Sequence, residues 1–305
     1  MRIFITGATG FIGSHVAFEL LNAGHELVAA ARNPDKLPEL SRHPRVHRVT
    51  ARLTERAPMR DALQGCEACV HIALGWGDTP VDMLMQDTLP SVALLEDCAA
   101  AGVQRFVYTS STAALGPFFE RMNEAHPTRP NDYYGATKAA TESFVLAVGA
   151  KTGMRCNVIR PGYTFGNPVV AGAPTQPDPR FRDIARAARE NREIRVTRGD
   201  GTQFVWAGDL ARLYRAVLES EHQREVYYGL GQSFVSWEQV AARARELSGS
   251  SSPIVLEEPR EPVPPGRDAR PNLFELSKIA EHFGLSFDAQ PRIDEHLAYF
   301  LAEPS

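Results

Sequence analysis

Residues 132–138 read Asp-Tyr-Tyr-Gly-Ala-Thr-Lys, and two of them can move protons: Tyr134 and, four positions on, Lys138. At that spacing both side chains lie on one face of a helix. A phenol titrates near pH 10, at about the edge of useful basicity, and a cation one helical turn away favours its ionised form. The pair suits proton transfer at an alcohol or carbonyl oxygen. The same spacing fits a helix with an aromatic end and a solvated lysine, so other parts must decide. A positioned hydroxyl would be one, and Tyr-Thr-Ser-Ser-Thr-Ala-Ala-Leu-Gly at 108–116 offers Ser110, Ser111 and Thr112. By itself that stretch reads as a β-turn with satisfied hydroxyls.

A second group lies at the start of the chain. Thr-Gly-Ala-Thr-Gly-Phe-Ile-Gly places Gly7, Gly10 and Gly13 between an apolar strand and an amphipathic helix. Such a turn brings backbone close to a pyrophosphate, and the helix N-terminus at Phe11, Ile12 and Gly13 offers N–H groups and positive dipole. The context after a first strand gives the triplet its weight. The end of the second strand selects between nicotinamide cofactors: an acid holds the ribose 2′-OH of NAD, a nearby Arg suits the 2′-phosphate of NADP. Here Ala31 takes the acid's place, Arg32 follows, and the nearest acid, Asp35, lies beyond Pro34. This favours NADP, with NAD as the alternative.

The elements that must hold these residues alternate. Strand patterns in RIFITG, ELVAAAR, RVHRVTARL, CVHIAL, RFVYTSS and MRCNVIRPG are separated by helical patterns, including one long helix over VDMLMQDTLPSVALLEDCAAAG that tolerates Pro90 or kinks there. The repetition predicts parallel strands with right-handed crossovers, an α/β fold with a Rossmann-type doubly wound sheet. The strands are apolar throughout, as a sheet covered on both faces requires. After Gly166 the rhythm breaks into Pro-rich loops and short elements. We expect residues 1–166 with about 206–230 to form the dinucleotide-binding domain. About 167–205 with 231–305 should form a small C-terminal substrate-binding lobe, too small for its own core, over the C-terminal edge of the sheet.

The 305 residues are 43% hydrophobic and carry a net charge of −4, with no basic field for nucleic acid or acidic membranes. No apolar run is long enough for a membrane span, and the N-terminus has no signal-peptide pattern, so a cytoplasmic protein is expected. Cys66 and Cys69 form a C-x-x-C with no second pair or histidines at ligand spacing, so no metal site is expected; Cys69 reads as a buried strand residue.

Taken together, the glycine turn, YTSSTAALG, YYGATK, VHIAL, VIRPGYTFG and VWAGDLARLYRAVLES resemble the extended short-chain dehydrogenase/reductases, the NAD(P)-dependent epimerase/dehydratase family. The resemblance covers nearly the whole chain. It implies that Tyr134 is the acid/base, that Lys138 holds the nicotinamide ribose and lowers the tyrosine pKa, and that Ser111, five residues before Gly116, is the hydroxyl partner. It further implies cofactor contacts at Ala73 and Pro161 beside Gly7, Gly10, Phe11, Ile12, Gly13, Arg32, Tyr134 and Lys138. Tyr133, one position off, would point elsewhere.

Some positions depart from the family pattern. Arg52 stands where an Asp meets adenine, and Asp87 where an Asn supports the active site. Phe204 and Val205 occupy the stretch that carries a nucleotide-sugar Arg. Thr112 and Ala113 replace a dehydratase's Asp-Glu pair, which disfavours water elimination. Arg267 and Arg270 remain candidates for a diphosphate. His71, Glu124 and Tyr163 are expected to shape the pocket, and Trp76, Phe118, Phe119, Tyr163 and Phe204 to supply aromatic surface for a ring-bearing substrate. Three functions stay open: a reductase or dehydrogenase at a secondary alcohol/ketone carbon, a nucleotide-sugar 4-epimerase with tightly bound NAD, and a non-catalytic NADP sensor. A homodimer through the helices carrying Leu94 and Tyr134 is plausible.

Overall fold

The computed structural model describes residues 1–118, 121–259 and 273–303; Phe119, Arg267 and Arg270 lie outside them. The first half runs β1 (Arg2–Thr6), α1 (Phe11–Asn22), β2 (Glu26–Ala31), α2 (Pro38–Ser41), β3 (Val46–Thr50), α3 (Arg56–Ala62), β4 (Ala68–His71), α4 (Pro80–Met83), α5 (Leu89–Ala100), β5 (Arg105–Thr109), α6 (Tyr133–Thr152) and β6 (Arg155–Pro161). The second half runs β7 (Thr164–Phe165), α7 (Arg180–Arg189), β8 (Ile194–Thr197), β9 (Gly201–Thr202), β10 (Val205–Trp206), α8 (Ala207–Glu219), β11 (Val226–Gly229), β12 (Val235–Ser236), α9 (Trp237–Ser248), β13 (Ile254–Glu257), α10 (Ser277–Phe283) and α11 (Gln290–Leu301).

Seven strands form one parallel sheet in the order β11-β6-β5-β4-β1-β2-β3. This is the Rossmann-type doubly wound fold. The order reverses between β1 and β4, and there the crevice at the strands' carboxyl ends opens. Both faces are covered, because Ile3, Ile5 and Val70 belong to one apolar layer and Phe4, Cys69, Phe106 and Tyr108 to the other. Cys69 is a buried strand residue, as its apolar neighbours require.

The long helix expected over 81–102 runs without interruption from Pro80 to Ala100, and its backbone stays helical throughout. Between α4 and α5 it widens by one π-type turn at Leu84–Thr88. Pro90 follows at the start of α5, where its missing N–H and its bulk are tolerated beside the widened turn. Turns of this kind concentrate at functional sites, and this one carries the buried Asp87.

The segments expected in the lobe share a buried aromatic cluster with Phe165 and Trp206 from the part expected to bind dinucleotide. Phe165, Phe181, Phe204, Trp206, Trp237, Ile293 and Phe300 form a separate buried cluster. Their rings meet at centroid distances such as 5.0 Å for Phe181–Trp237 and 5.1 Å for Phe165–Phe181. A few large aromatics fill volume that many aliphatics would otherwise need. Phe204 is therefore a core residue, fully buried, and not part of a substrate surface.

Candidate active site

The glycine turn packs tightly. Gly7 has φ +77°, and a Cβ there would lie 2.7 Å from the Ala73 backbone nitrogen. A Cβ on Gly13 would lie 2.0 Å from the Gly7 carbonyl, so α1 starts directly against the turn. First-turn N–H groups of a helix lack intrahelical partners, which leaves those at Phe11, Ile12 and Gly13 for an anion. No acid stands in that turn of α1. The cradle fits a pyrophosphate. Arg32 is exposed just past β2, and Asp35 is engaged by Arg48 at 3.0 Å.

At β5's carboxyl end, Ser111 caps the short turn 112–115, its Oγ accepting from the Ala113 N–H at 3.1 Å. Asp132 caps α6 in the same way, accepting from the Gly135 N–H at 2.6 Å. Gly135 permits the two to meet, since a Cβ there would lie 2.4 Å from the Ala113 carbonyl oxygen. This contact brings Tyr134 to Ser111, whose hydroxyl stabilises the ionised phenol. Lys138 Nζ sits one turn on, 5.6 Å from the Tyr134 ring centre and 5.3 Å from that of Tyr108. Ser111, Tyr134 and Lys138 are thus brought together.

Burial dominates the electrostatics of Tyr134. Tyr134 is shifted above the ordinary phenol value, chiefly by burial; Ser111 opposes the shift, while Asp87 and Asp132 add to it. Lys138 does not set the direction, because its own charge is disfavoured by burial and met by Asp87. Asp87 Oδ2 lies 3.5 Å from Lys138 Nζ, and both side chains are buried. Asp87 Oδ1 accepts from the Gly75 N–H at 3.0 Å. A continuous path therefore runs from Gly7 to Ala73, Gly75, Asp87 and Lys138.

His71 does not line the pocket. It is buried, pairing with Thr6 Oγ1 at 2.6 Å and Ser91 Oγ at 2.8 Å, and burial followed by the Lys138 charge pushes it down to about 3. Glu124 is half-buried, its carboxyl raised by burial. Tyr163 packs in the lobe against Phe204 and Trp237 under the Arg180 guanidinium. Phe118 packs edge-on against Phe274. Pro161 ends β6 opposite Gly229.

Trp76, expected to supply aromatic surface, stands in a wall beside Tyr134. A cavity of about 540 Å³ is lined by Leu74, Trp76, Met83, Asp132, Tyr133 and Tyr134, among others. Tyr133 does not point away from the site; it is half-exposed on this cavity. Met83 reaches it from the last position of α4. A different buried group, Glu142, accepts from Ser110 Oγ and takes both Arg160 Nε and Nη2, at 2.9 and 2.7 Å. It fixes the residue before Ser111 to β6.

A parallel sheet with a glycine-turn cradle and a Tyr–Lys helix end defines the class of fold and site to which the chain is compared. The NAD dependent epimerase/dehydratase family profile matches residues 3–229, and the chain belongs to that family. It is 33% identical over 178 residues to a 3-beta-hydroxysteroid dehydrogenase of Mycolicibacterium neoaurum, covering 54% of this chain and 48% of the relative. It is 31% identical over 172 residues to a UDP-glucose 4-epimerase of Azospirillum brasilense, covering 52% and 48%. These matches span about half the length of the relatives. A UDP-glucuronic acid 4-epimerase from Bacillus cereus, solved in complex with NAD, superposes with TM-score 0.81 at 20% identity over 98% of each chain, which shows the shared fold. Among the described residues, no helix is long and apolar enough to cross a membrane.

Proposed function

We propose that this protein interconverts a secondary alcohol and a ketone, with Tyr134 as acid/base, Ser111 as hydrogen-bond partner of the reacting oxygen and Lys138 as the cation beside them. The carrying observation is the meeting of these three side chains next to the Gly7–Ala73 cradle. The nicotinamide cofactor, when bound, supplies or accepts the hydride. Gly7, Gly10, Phe11, Ile12, Gly13, Ala73 and Pro161 would hold it, with Arg32 toward the adenosine ribose. Tyr134 donates its proton to the carbonyl oxygen in reduction and recovers it in oxidation. A protonated phenol is in the state needed to donate in the reductive direction, and its ionised form is needed for oxidation.

NADP is the cofactor we favour. No acid follows β2 directly, and Asp35 is tied to Arg48. The B. cereus neighbour in complex with NAD keeps NAD in contention. Net redox turnover is favoured over 4-epimerisation by the fate of the segment before α8. Gln203 there is buried, donating to the Gly231 and Phe274 carbonyls and accepting from the Phe274 N–H, and Phe204 is in the core. That segment has no side chain left to meet a diphosphate. Residues 1–166 with 206–230 would serve the cofactor, and the remaining lobe the substrate. The test is calorimetric binding of NADPH and NADH to cofactor-stripped protein, after assay of what it carries from purification. Tight NADPH and an empty purified site support the reductase; retained NAD(H) turns the assignment to the epimerase.

A further inference from the structure

We propose that the cavity beside Tyr134 selects an uncharged, ring-bearing apolar alcohol or ketone, with Trp76 as its specificity-determining wall. This rests on Tyr134 as the acid/base and adds the substrate class. The cavity, about 540 Å³, has the size of a small-molecule site. Its large side chains are Leu74, Trp76, Met83, Tyr133 and Tyr134. Trp76 is 65% exposed, an unusual state for an indole. Its ring lies 6.5 Å from that of Tyr134, inclined by 34°, so the two face each other across the opening.

The loop presenting Trp76 is fixed. Its Gly75 N–H is held by Asp87, and its Gly77 N–H by Met83 Sδ at 3.2 Å. A Cβ on Gly75 would lie 1.8 Å from the Gln86 carbonyl oxygen, and one on Gly77 2.4 Å from Asp82 Cβ. The loop is therefore pressed onto the π-type turn, and the indole stands on a rigid support. A preformed apolar wall loses little order when it takes a ligand.

Charge narrows the class. The ionisable groups lining the cavity, besides the tyrosines, are the carboxylates of Asp78 and Asp132, and no Lys, Arg or His joins them among the described residues. Among the described residues that line the cavity, a phosphate or carboxylate ligand would meet like charge and no cation. Three described arginines of the lobe are already engaged: Arg180 is paired with Asp178 and Asp200, Arg192 with Glu190, and Arg195 with Glu193 and Glu257. A neutral ring avoids the repulsion and buries apolar surface against Trp76 and Tyr133.

The test uses tryptophan fluorescence. Trp206 and Trp237 are buried, so acrylamide quenching reports Trp76. The full-length protein, saturated with the nicotinamide cofactor it binds, is titrated with 2-decalone, a bicyclic ketone, and separately with UDP-glucose. Protection and a blue shift with 2-decalone, and none with UDP-glucose, are expected. Trp76→Ala, read by calorimetry, should weaken 2-decalone by about tenfold or more while cofactor affinity stays unchanged. Trp76→Phe should recover most of that loss. Binding of UDP-glucose in place of the ketone, or ketone affinity indifferent to Trp76→Ala, overturns the proposal. Binding is read without turnover. Full activity in Tyr134→Phe would overturn the acid/base assignment and leave the fluorescence result to judge the cavity.

Discussion

Tyr134 and Asp87 set opposing demands on one buried lysine. If Tyr134 carries the proton, Tyr134→Phe should lower turnover by about 10²–10⁴-fold while cofactor binding, followed by calorimetry, survives. Undiminished turnover would reject the assignment. Asp87 is one of the groups that raise the Tyr134 pKa, and it is the ion-pair partner of Lys138. Asp87→Asn keeps an acceptor for the Gly75 N–H and removes the charge. The pH profile of alcohol oxidation should then move to lower pH, since the phenol loses a neighbour that opposes its ionisation. Asp132, Tyr108 and Glu142 also face this cluster and stay in place. The same change leaves Lys138 buried without its partner, so stability should fall by about 3–5 kcal/mol in denaturant titrations. An unmoved profile would show that Asp87 acts on structure alone.

Among the elements, the junction of α6 with the turn at 112–115 is the most sensitive. Gly135→Ala would drive a Cβ into the Ala113 carbonyl, 2.4 Å away, where neither backbone can give. We expect about 1–3 kcal/mol of destabilisation and a loss of turnover larger than any loss of cofactor affinity, measured by thermal unfolding and steady-state kinetics. The strands, the cradle and the Tyr–Lys pair were legible because each is written in a local pattern: apolar runs, glycines after a strand, an aromatic and a cation one turn apart. Asp87 was legible as a departure, though not its ion pair, because a break in helical period at Leu84–Thr88 places it and no residue type announces such a break. The aromatic cluster was not legible for a related reason. Phe165, Phe181 and Trp237 come from three separate elements and Phe204 from the link between β9 and β10, and they meet only through tertiary packing. His71 looked like a pocket residue from its place at the end of β4, and only the partners Thr6 and Ser91 reveal it as a strut between β1 and α5.

On the scale of the whole molecule, Leu84, Met85, Leu89 and Phe144 are half-exposed along the π-type turn, α5 and α6, whereas Leu94 faces the core. A homodimer through these helices should therefore use the first four, and Leu89→Asp with Phe144→Asp should halve the mass seen by light scattering. Acid should act instead on the seam between cofactor domain and lobe. His15 on α1 contacts the Asn167 carbonyl at 3.1 Å, and His296 on α11 contacts Asn167 Oδ1 at 2.7 Å. The Gln176 amide donates to His296 Nε2 at 2.8 Å, so a second proton on that ring would face another donor. Burial holds His296 down to about 3 and, partly offset by its backbone hydrogen bond, His15 to about 4; His71 in the sheet stands at about 3. All three are neutral when folded. Below about pH 6.5 the unfolded chain takes up protons that the folded chain refuses, so stability present at neutral pH is lost as pH falls toward 4. Each histidine should cost about 2 kcal/mol by pH 5, which together approaches the whole stability of an ordinary domain. Urea midpoints measured from pH 7.5 to 5 should fall steeply, and His296→Gln should make that fall shallower. A flat midpoint over this range would mean that these rings are already accessible to protons in the folded protein.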